Sequence, residues 1–502
     1  MSPFFRATGL LKVFRMAIDY ILFVKQINLF FGRRNGYNPT AMKYRSLHFT
    51  GIGGSGMSAL AQVVRSQGVA ISGSDRLFDR DPERTRTLAT IFRNQAITIF
   101  PQDGSGISDK LSALVVSTAI EDSNPDVREA KKIGIEIITR AQLLSYIFNK
   151  GYGVAIGGTS GKSTIAAMVA YILLHNGRDP VYIGGGIIRD ISTGDSQLSN
   201  ALCGRSDVIC VETDESDGSI VLYKPKISVL ANISKDHKDI PELEQLFNTF
   251  LKNTQETAIL NNDCPMVRKL PHPSARIVTY GIDNDADLRA RDIVLSRYGA
   301  TFTVEDDTRF SIKLIGMHNV SNALAAIAVS AQLGVPPPGI SDALSRFPGI
   351  KRRLELVGES RGVAVYDDFA HNPAKVQAAL GALRGHHRRI IAVFQPHGYG
   401  PMHLMKDDFV EAFCGSLRPD DTIIMPEIYD AGGTADRTIS SKQVIDAVAA
   451  KGIAADYITS REAIAERIAE TAQDGDAVVV MGARDTTLSL FCQDILRTLG
   501  QR

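Results

Sequence analysis

Residues 157–164, GGTSGKST, have the side chains and spacing of a loop that grips phosphate. Gly161, Lys162 and Ser163 fill the last three places of the pattern G-x-x-x-x-G-K-[ST], while the place of its first glycine holds Ile156. In such a loop a lysine offsets phosphate charge and a hydroxyl, here that of Ser163, can ligate Mg²⁺. Two acidic segments follow. VETDESDGS brings Glu212, Asp214, Glu215 and Asp217, and ANISKDHKD brings Asp236, His237 and Asp239. Carboxylates this dense repel one another unless a cation compensates, and Mg²⁺ prefers oxygen ligands. Each cluster alone reads as a solvated loop; two of them behind a phosphate loop point to a metal–ATP site.

A second glycine pattern precedes this one. Gly51, Gly53 and Gly56 form G-x-G-x-x-G between an apolar strand and a helix, with Asp75 ending the next strand. Glycines there let backbone N–H groups approach a diphosphate at a helix N-terminus. Taken alone, the pattern suggests an NAD-dependent oxidoreductase or a tight strand–helix turn. The oxidoreductase reading leaves the second loop, both acidic clusters and the last third of the chain unexplained.

The elements that must position these residues fit an α/β protein. The 502 residues exceed one hydrophobic core and suggest three domains. The 43 glycines suit many strand-to-helix turns. Short apolar strands alternating with helical stretches divide the chain into a Rossmann-like domain at 46–149, a central phosphate-loop domain with a mostly parallel sheet at 150–348, and a Rossmann-like C-terminal domain at 349–502. With 56 basic and 55 acidic side chains, the net charge of +1 gives no pull toward nucleic acid. The five cysteines form no C-x-x-C pair and fit a reducing cytoplasm. Residues 1–45 form an N-terminal extension. Its apolar run at 9–31 is interrupted by Lys12, Arg15, Asp19 and Lys25 and is a poor spanning helix. It reads either as a peripheral helix, the sole means of membrane contact, or as untranslated sequence ahead of a start at Met42.

Together these motifs resemble the Mur ligases, the ATP-dependent amide-forming enzymes of peptidoglycan precursor synthesis. The resemblance covers roughly residues 46–490. Their phosphate loop is G-T-x-G-K-[ST]-T, as in Gly158 to Thr164, and lacks the distant first glycine. HFTGIGGSGMSALA, VETDESDGS and NISKDHKD are similar to the branch that joins L-alanine to UDP-N-acetylmuramate.

The resemblance implies roles for particular residues. Gly51, Gly53, Gly54, Ser55 and Gly56 would hold the UDP diphosphate, with Asp75 at the edge. Gly158, Thr159, Ser160, Gly161, Lys162, Ser163 and Thr164 would hold ATP phosphates. Ser163, Glu212 and His237 would form the Mg²⁺ site, and His318, Asn319 and Asn322 would lie near the adenine and metal. Arg353 would reach the phosphates from across a domain boundary. Asp368 would meet the ATP ribose, and His371 would line the closed cleft. Lys162, Glu212, His237 and Arg353 would carry the chemistry, with His237 as metal ligand or as base for the amine. The implied partners are UDP-N-acetylmuramate and an amino acid or short peptide, in a cytoplasmic monomer or homodimer.

The chain departs from the alanine-adding pattern at several places. Ser160 replaces a histidine, and Ala370 and Asn372 stand for Gly and His. Gly398, Pro401 and His403 occupy places where arginines are common. A recycling ligase that attaches a murein tripeptide to the same UDP-sugar is the alternative, and KRRLELVGESRGVAVYDDFAH leans toward it.

Overall fold

The structure, a computed structural model, describes residues 42–80, 82–191, 199–234, 238–304, 307–429, 437–483, 485 and 487–501. The apolar run at 9–31 and His237 lie outside the described residues. No described helix is long and apolar enough to cross a membrane.

The chain folds as three α/β domains. In the first, strands β1 (Ser46–Thr50), β2 (Ala70–Ser74), β3 (Thr98–Phe100), β4 (Ala113–Val116) and β5 (Ile137–Thr139) form a parallel sheet in the order 3-2-1-4-5. Strand β1 lies where the order reverses, so the crevice beyond its carboxyl end is open to a ligand, and the first glycine loop begins there.

The central sheet comprises β6 (Tyr152–Gly157), β7 (Val181–Ile183), β8 (Ala201–Cys203), β9 (Val208–Glu212), β10 (Ile227–Leu230), β11 (Thr257–Asn261), β12 (Arg276–Gly281) and β13 (Leu288–Arg289). Its order is 13-12-11-10-6-9-7-8, and only the β7–β8 pair is antiparallel. Strand β6 sits between β9 and β10, with Ile156 opposite both Glu212 and Val229. A small antiparallel sheet of β14 (Arg291–Ser296), β15 (Gly299–Val304) and β16 (Thr308–Ile312) follows.

The third domain contains β17 (Glu355–Ser360), β18 (Val363–Asp368), β19 (Ile390–Phe394), β20 (Thr422–Met425), β21 (Ala454–Tyr457) and β22 (Ala477–Met481), in the order 17-18-22-19-20-21. Only the edge strand β17 runs antiparallel.

The first two domains share apolar core. Leu60, Val63 and Val64 of the helix Ser55–Ser66 belong to one buried cluster with Val181, Ile183 and Ala201. Asn200 ties the same joint, its Nδ2 donating to the Ser55 carbonyl at 2.8 Å. The sheet of the third domain packs into clusters of its own, joined from the central domain by Ile315.

Candidate active site

The first glycine loop is built on Ser74. Its carbonyl accepts the Gly51 and Ile52 N–H groups at 2.7 and 3.1 Å. Asp75 does not stand free at the rim. Its carboxylate accepts the Gly53 and Leu77 N–H groups, both at 3.0 Å, and so fixes the loop. The helix Ser55–Ser66 has no side-chain cap and no acid in its first turn, which leaves a positive N-terminus facing the crevice.

Beneath the loop lies a buried polar network that the motifs did not reveal. Asp126 accepts the hydroxyls of Thr50 (3.0 Å) and Ser74 (2.5 Å) and the Gly104 N–H (3.0 Å), with His48 Nε2 3.7 Å away. Burial works to raise the Asp126 pKa, but the nearby His48 ring and the hydrogen bonds from Ser74 and Thr50 outweigh it and hold the carboxylate below its ordinary range.

The missing glycine of the second loop has a direct explanation. Ile156 is a fully buried strand residue, and the turn begins two residues later at Gly158. Gly161 needs to be glycine on two counts: its φ is +85°, and a Cβ there would lie 2.5 Å from Asn322 Oδ1. The loop is pinned by Asn232, just past β10. Asn232 Oδ1 accepts the Thr159 hydroxyl and the Ser160 N–H at 2.8 and 2.9 Å, and its Nδ2 donates to the Ser160 carbonyl at 3.0 Å. Ser160 therefore serves the loop through its backbone.

One ion pair and one hydroxyl–carboxylate pair sit on this loop. Lys162 Nζ donates to Glu215 at 2.6 Å and to the Gly158 carbonyl at 2.7 Å. Burial raises the pKa of Glu215, and Lys162 opposes that shift without cancelling it. Ser163 Oγ donates to Glu212 Oε2 at 2.5 Å. Among the described residues no three His, Cys, Asp or Glu side chains gather as a metal cluster. The Ser163–Glu212 pair still fits Mg²⁺, which takes few protein oxygens and completes its shell with water and phosphate.

Across from the loop, the third domain closes a cleft of ≈ 390 Å³. Thr159 to Thr164, His318, Asn319 and Asn322 line it on the central side, and Arg353, Asp368 and Lys375 line it opposite. The Asn322 side chain donates to Asn319 Oδ1 at 3.1 Å, and that of Asn319 donates to the Ile315 carbonyl at 2.8 Å.

Arg353 is aimed by strained backbone. Its neighbours Arg352 and Leu354 adopt φ of +60° and +44°, conformations costing about 1–3 kcal/mol each in a non-glycine residue. Three hydrogen bonds impose them. The Leu354 N–H donates to Asp368 Oδ2 (2.7 Å), the Phe369 N–H to the Arg352 carbonyl (2.8 Å), and the Arg352 N–H to Glu355 (2.8 Å). Both guanidinium groups lie over the Phe369 ring, but the Arg352 side chain is bound to Asp367 and the Gly482 carbonyl, whereas Arg353 lines the cleft. Burial raises the Asp368 pKa, with Arg353 opposing.

The other expected residues divide. Glu212 joins the cleft through Ser163. His371 stands outside the lining, because its Nδ1 donates to the Phe369 carbonyl at 2.8 Å and its ring packs edge-on against His397. Lys375, Asn232 and Glu215 are the functional additions. Glu215 was visible as an acid, but its pairing with Lys162 depends on how β9 and β6 adjoin.

Comparison with known proteins follows the same division. Family models described as Mur ligase family, catalytic domain, Mur ligase middle domain, and Mur ligase, glutamate ligase domain match residues 46–152, 156–330 and 352–484. The chain is 35% identical over 456 residues to the UDP-N-acetylmuramate–L-alanine ligase of Pelobacter propionicus, covering 88% of this chain and 95% of that protein. It is 36% identical over 455 residues to the ligase of the same name from an Anaeromyxobacter species, with the same coverage. Among solved structures, the UDP-N-acetylmuramate–alanine ligase of Thermotoga maritima superposes with a TM-score of 0.71 at 25% identity, over 91% of this chain and all of that one. A murein peptide ligase from Psychrobacter arcticus shares the fold at TM-score 0.64 and 24% identity, over 91% and 99%. With all three domains matched in order, the chain belongs to the Mur ligase family.

Proposed function

We propose that the chain is an ATP-dependent ligase that joins L-alanine to the lactyl carboxylate of UDP-N-acetylmuramate through an acyl phosphate. The observation that carries this reading is the pairing of Lys162 and the Ser163–Glu212 pair on one cleft wall with Arg353 and Asp368 on the other. The choice of L-alanine rests on relatives of that name, matched over 95% of their length.

In this reading residues 46–149 hold the UDP-sugar, 150–348 hold ATP, and 349–502 close over both and admit the amine. Gly51, Gly53, Gly54, Ser55 and Gly56 supply backbone N–H groups to the UDP diphosphate. Lys162 exchanges Glu215 for the ATP phosphates, and Arg353 neutralises charge from the opposite wall. A carboxylate oxygen attacks the γ-phosphorus, the bond to the β–γ bridging oxygen breaks, and ADP leaves. The neutral amine then attacks the acyl carbon, loses a proton, and expels phosphate. Mg²⁺ held by Ser163 and Glu212, with His237 as a further ligand, would supply charge neutralisation at the phosphates. Asp368 offers an acceptor to the ribose hydroxyls. Closure of the third domain protects the acyl phosphate from water. A cytoplasmic setting agrees with five free cysteines and with ATP and a UDP-sugar as substrates.

The test is phosphate release from ATP. Release that requires both UDP-N-acetylmuramate and L-alanine is expected. Release only with murein tripeptide would assign the recycling reaction instead, and release independent of the UDP-sugar would overturn both.

A further inference from the structure

Arg140 opens the helix Arg140–Phe148, where the first and central domains meet. Its origin is fixed by a reciprocal cap: the Gln142 N–H donates to Thr139 Oγ1 at 3.1 Å, and the Thr139 N–H donates to Gln142 Oε1 at 2.8 Å. From there the side chain lies across the last glycine of the first loop. A Cβ on Gly56 would stand 3.4 Å from Arg140 Nη1 and 3.5 Å from its Cδ. On its other side the guanidinium faces Asp217, whose nearest oxygen is 3.9 Å away, beyond hydrogen-bond reach. Together they line a cavity of ≈ 290 Å³ with Gly218 and Ser219.

Such a setting asks for an anion. The side chain is only 24% exposed, and a guanidinium carries five donors in a fork matched to phosphate or carboxylate oxygens. Asp217 does not take up those donors: its Oδ1 accepts the Ser219 N–H at 2.9 Å, and its Oδ2 faces Arg140 as a loose ion pair at 3.9 Å without a hydrogen bond. A cation in the first turn of a helix also works against the helix dipole, a cost that a bound anion removes. Gly56, in the first turn of the uncapped helix Ser55–Ser66, adjoins the guanidinium.

We propose that Arg140 is an anion ligand for the UDP-sugar, reaching over Gly56 to an oxygen of the diphosphate or of the lactyl carboxylate. This rests on the reading of the first glycine loop as the UDP-sugar seat. The rival role is an interdomain tether to Asp217, and the two roles separate by experiment.

Calorimetric titration of UDP, UDP-N-acetylglucosamine and UDP-N-acetylmuramate into the wild-type chain, Arg140→Gln, Arg140→Lys and Asp217→Asn makes the distinction. Arg140→Gln is expected to weaken UDP-N-acetylmuramate binding roughly tenfold to a hundredfold, with the KM for ATP unchanged. Arg140→Lys, which keeps the charge without the fork, should fall between. Asp217→Asn should bind as the wild type does. An equal loss for UDP assigns the diphosphate, and a loss confined to UDP-N-acetylmuramate assigns the lactyl carboxylate. Unchanged affinity in Arg140→Gln, or the same loss in Asp217→Asn, overturns the proposal. A wild-type chain that binds no UDP compound would instead overturn the reading of the loop.

Discussion

The two glycine loops share a design and differ in how their charges are matched. Each follows the central strand of a parallel sheet and opens a helix with no side-chain cap and no acid in its first turn. Around the first loop the polar groups are already committed. The Ser74 carbonyl, Asp75 and Asp126 bond to backbone or hydroxyl groups that a ligand does not displace. Around the second loop the bonds have to be exchanged. Lys162 sits on Glu215, and Ser163 sits on Glu212, and in the proposed reaction both would turn to phosphate and metal. On that proposal the first loop is a holder and the second is a switchable charge site. Damage to the first should therefore appear in affinity for the UDP-sugar, and damage to the second in turnover.

The largest effect is expected at Lys162. Lys162→Ala should lower kcat by roughly 10³-fold or more, the scale of losing a principal transition-state charge partner, while UDP-sugar affinity stays intact. It also strands Glu215, which is 3% exposed, and breaking a buried pair costs about 3–5 kcal/mol. Lys162→Ala combined with Glu215→Gln should regain the lost thermal stability and none of the turnover. Recovery of turnover in the double variant would show that the lysine acts only on the fold.

Arg353→Ala comes next. In the proposed reaction its charge meets the nucleotide from the opposite cleft wall, so kcat should drop roughly 10²-fold with a smaller rise in the KM for ATP. Arg352→Ala makes the comparison sharp. Its guanidinium is bound to Asp367 and the Gly482 carbonyl, so it should cost stability and leave the kcat of the folded enzyme near normal. Equal kcat losses in the two variants would mean that the strained turn does not separate their roles.

How much of this the sequence disclosed depends on distance along the chain. Both loops, the strand ends carrying Glu212 and Asp368, and the three-domain order are written in contiguous patterns of glycine, apolar runs and acids. Asn232, Asp126 and Arg140 are different. Asn232 clamps the second loop only because β10 lies beside β6, which puts Leu230 opposite Gly157. Asp126 reaches Thr50 and Ser74 across 76 and 52 residues. The antiparallel strands β14 to β16 do alternate in burial. His371 shows the opposite failure. Its motif suggested a cleft ligand, and a local hydrogen bond to Phe369 turns it elsewhere.

At the first loop, Gly53→Ala should act on affinity alone. The added Cβ would lie 2.8 Å from Asp75 Oδ2, forcing the carboxylate off the residue 53 N–H. UDP-sugar binding should weaken by roughly threefold to tenfold, the net worth of one ordinary hydrogen bond. The kcat at saturating substrate should hold. A fall in kcat with unchanged affinity would erase the contrast between the loops.

The smallest effect concerns acid. Burial, aided by Lys375, His397 and Arg353, pushes the His371 pKa down to about 3, against an ordinary value of 6.5. Between those values the unfolded chain binds a proton that the folded chain refuses, so this contribution to stability is complete above pH 6.5 and is lost as the pH falls toward 3. Asp126 is displaced the same way from a lower start, so its contribution is lost only as the pH drops below the ordinary carboxylate value of 3.8. The packing around His371 should thus weaken in mild acid while the floor of the first loop holds. Melting temperatures of the wild-type chain and His371→Asn between pH 7 and pH 4.5 test this. The wild-type midpoint should fall more steeply than that of the variant. Parallel slopes would mean that His371 gains its proton in the fold as readily as in the open chain, and the closed third-domain wall would then be wetter than its packing implies.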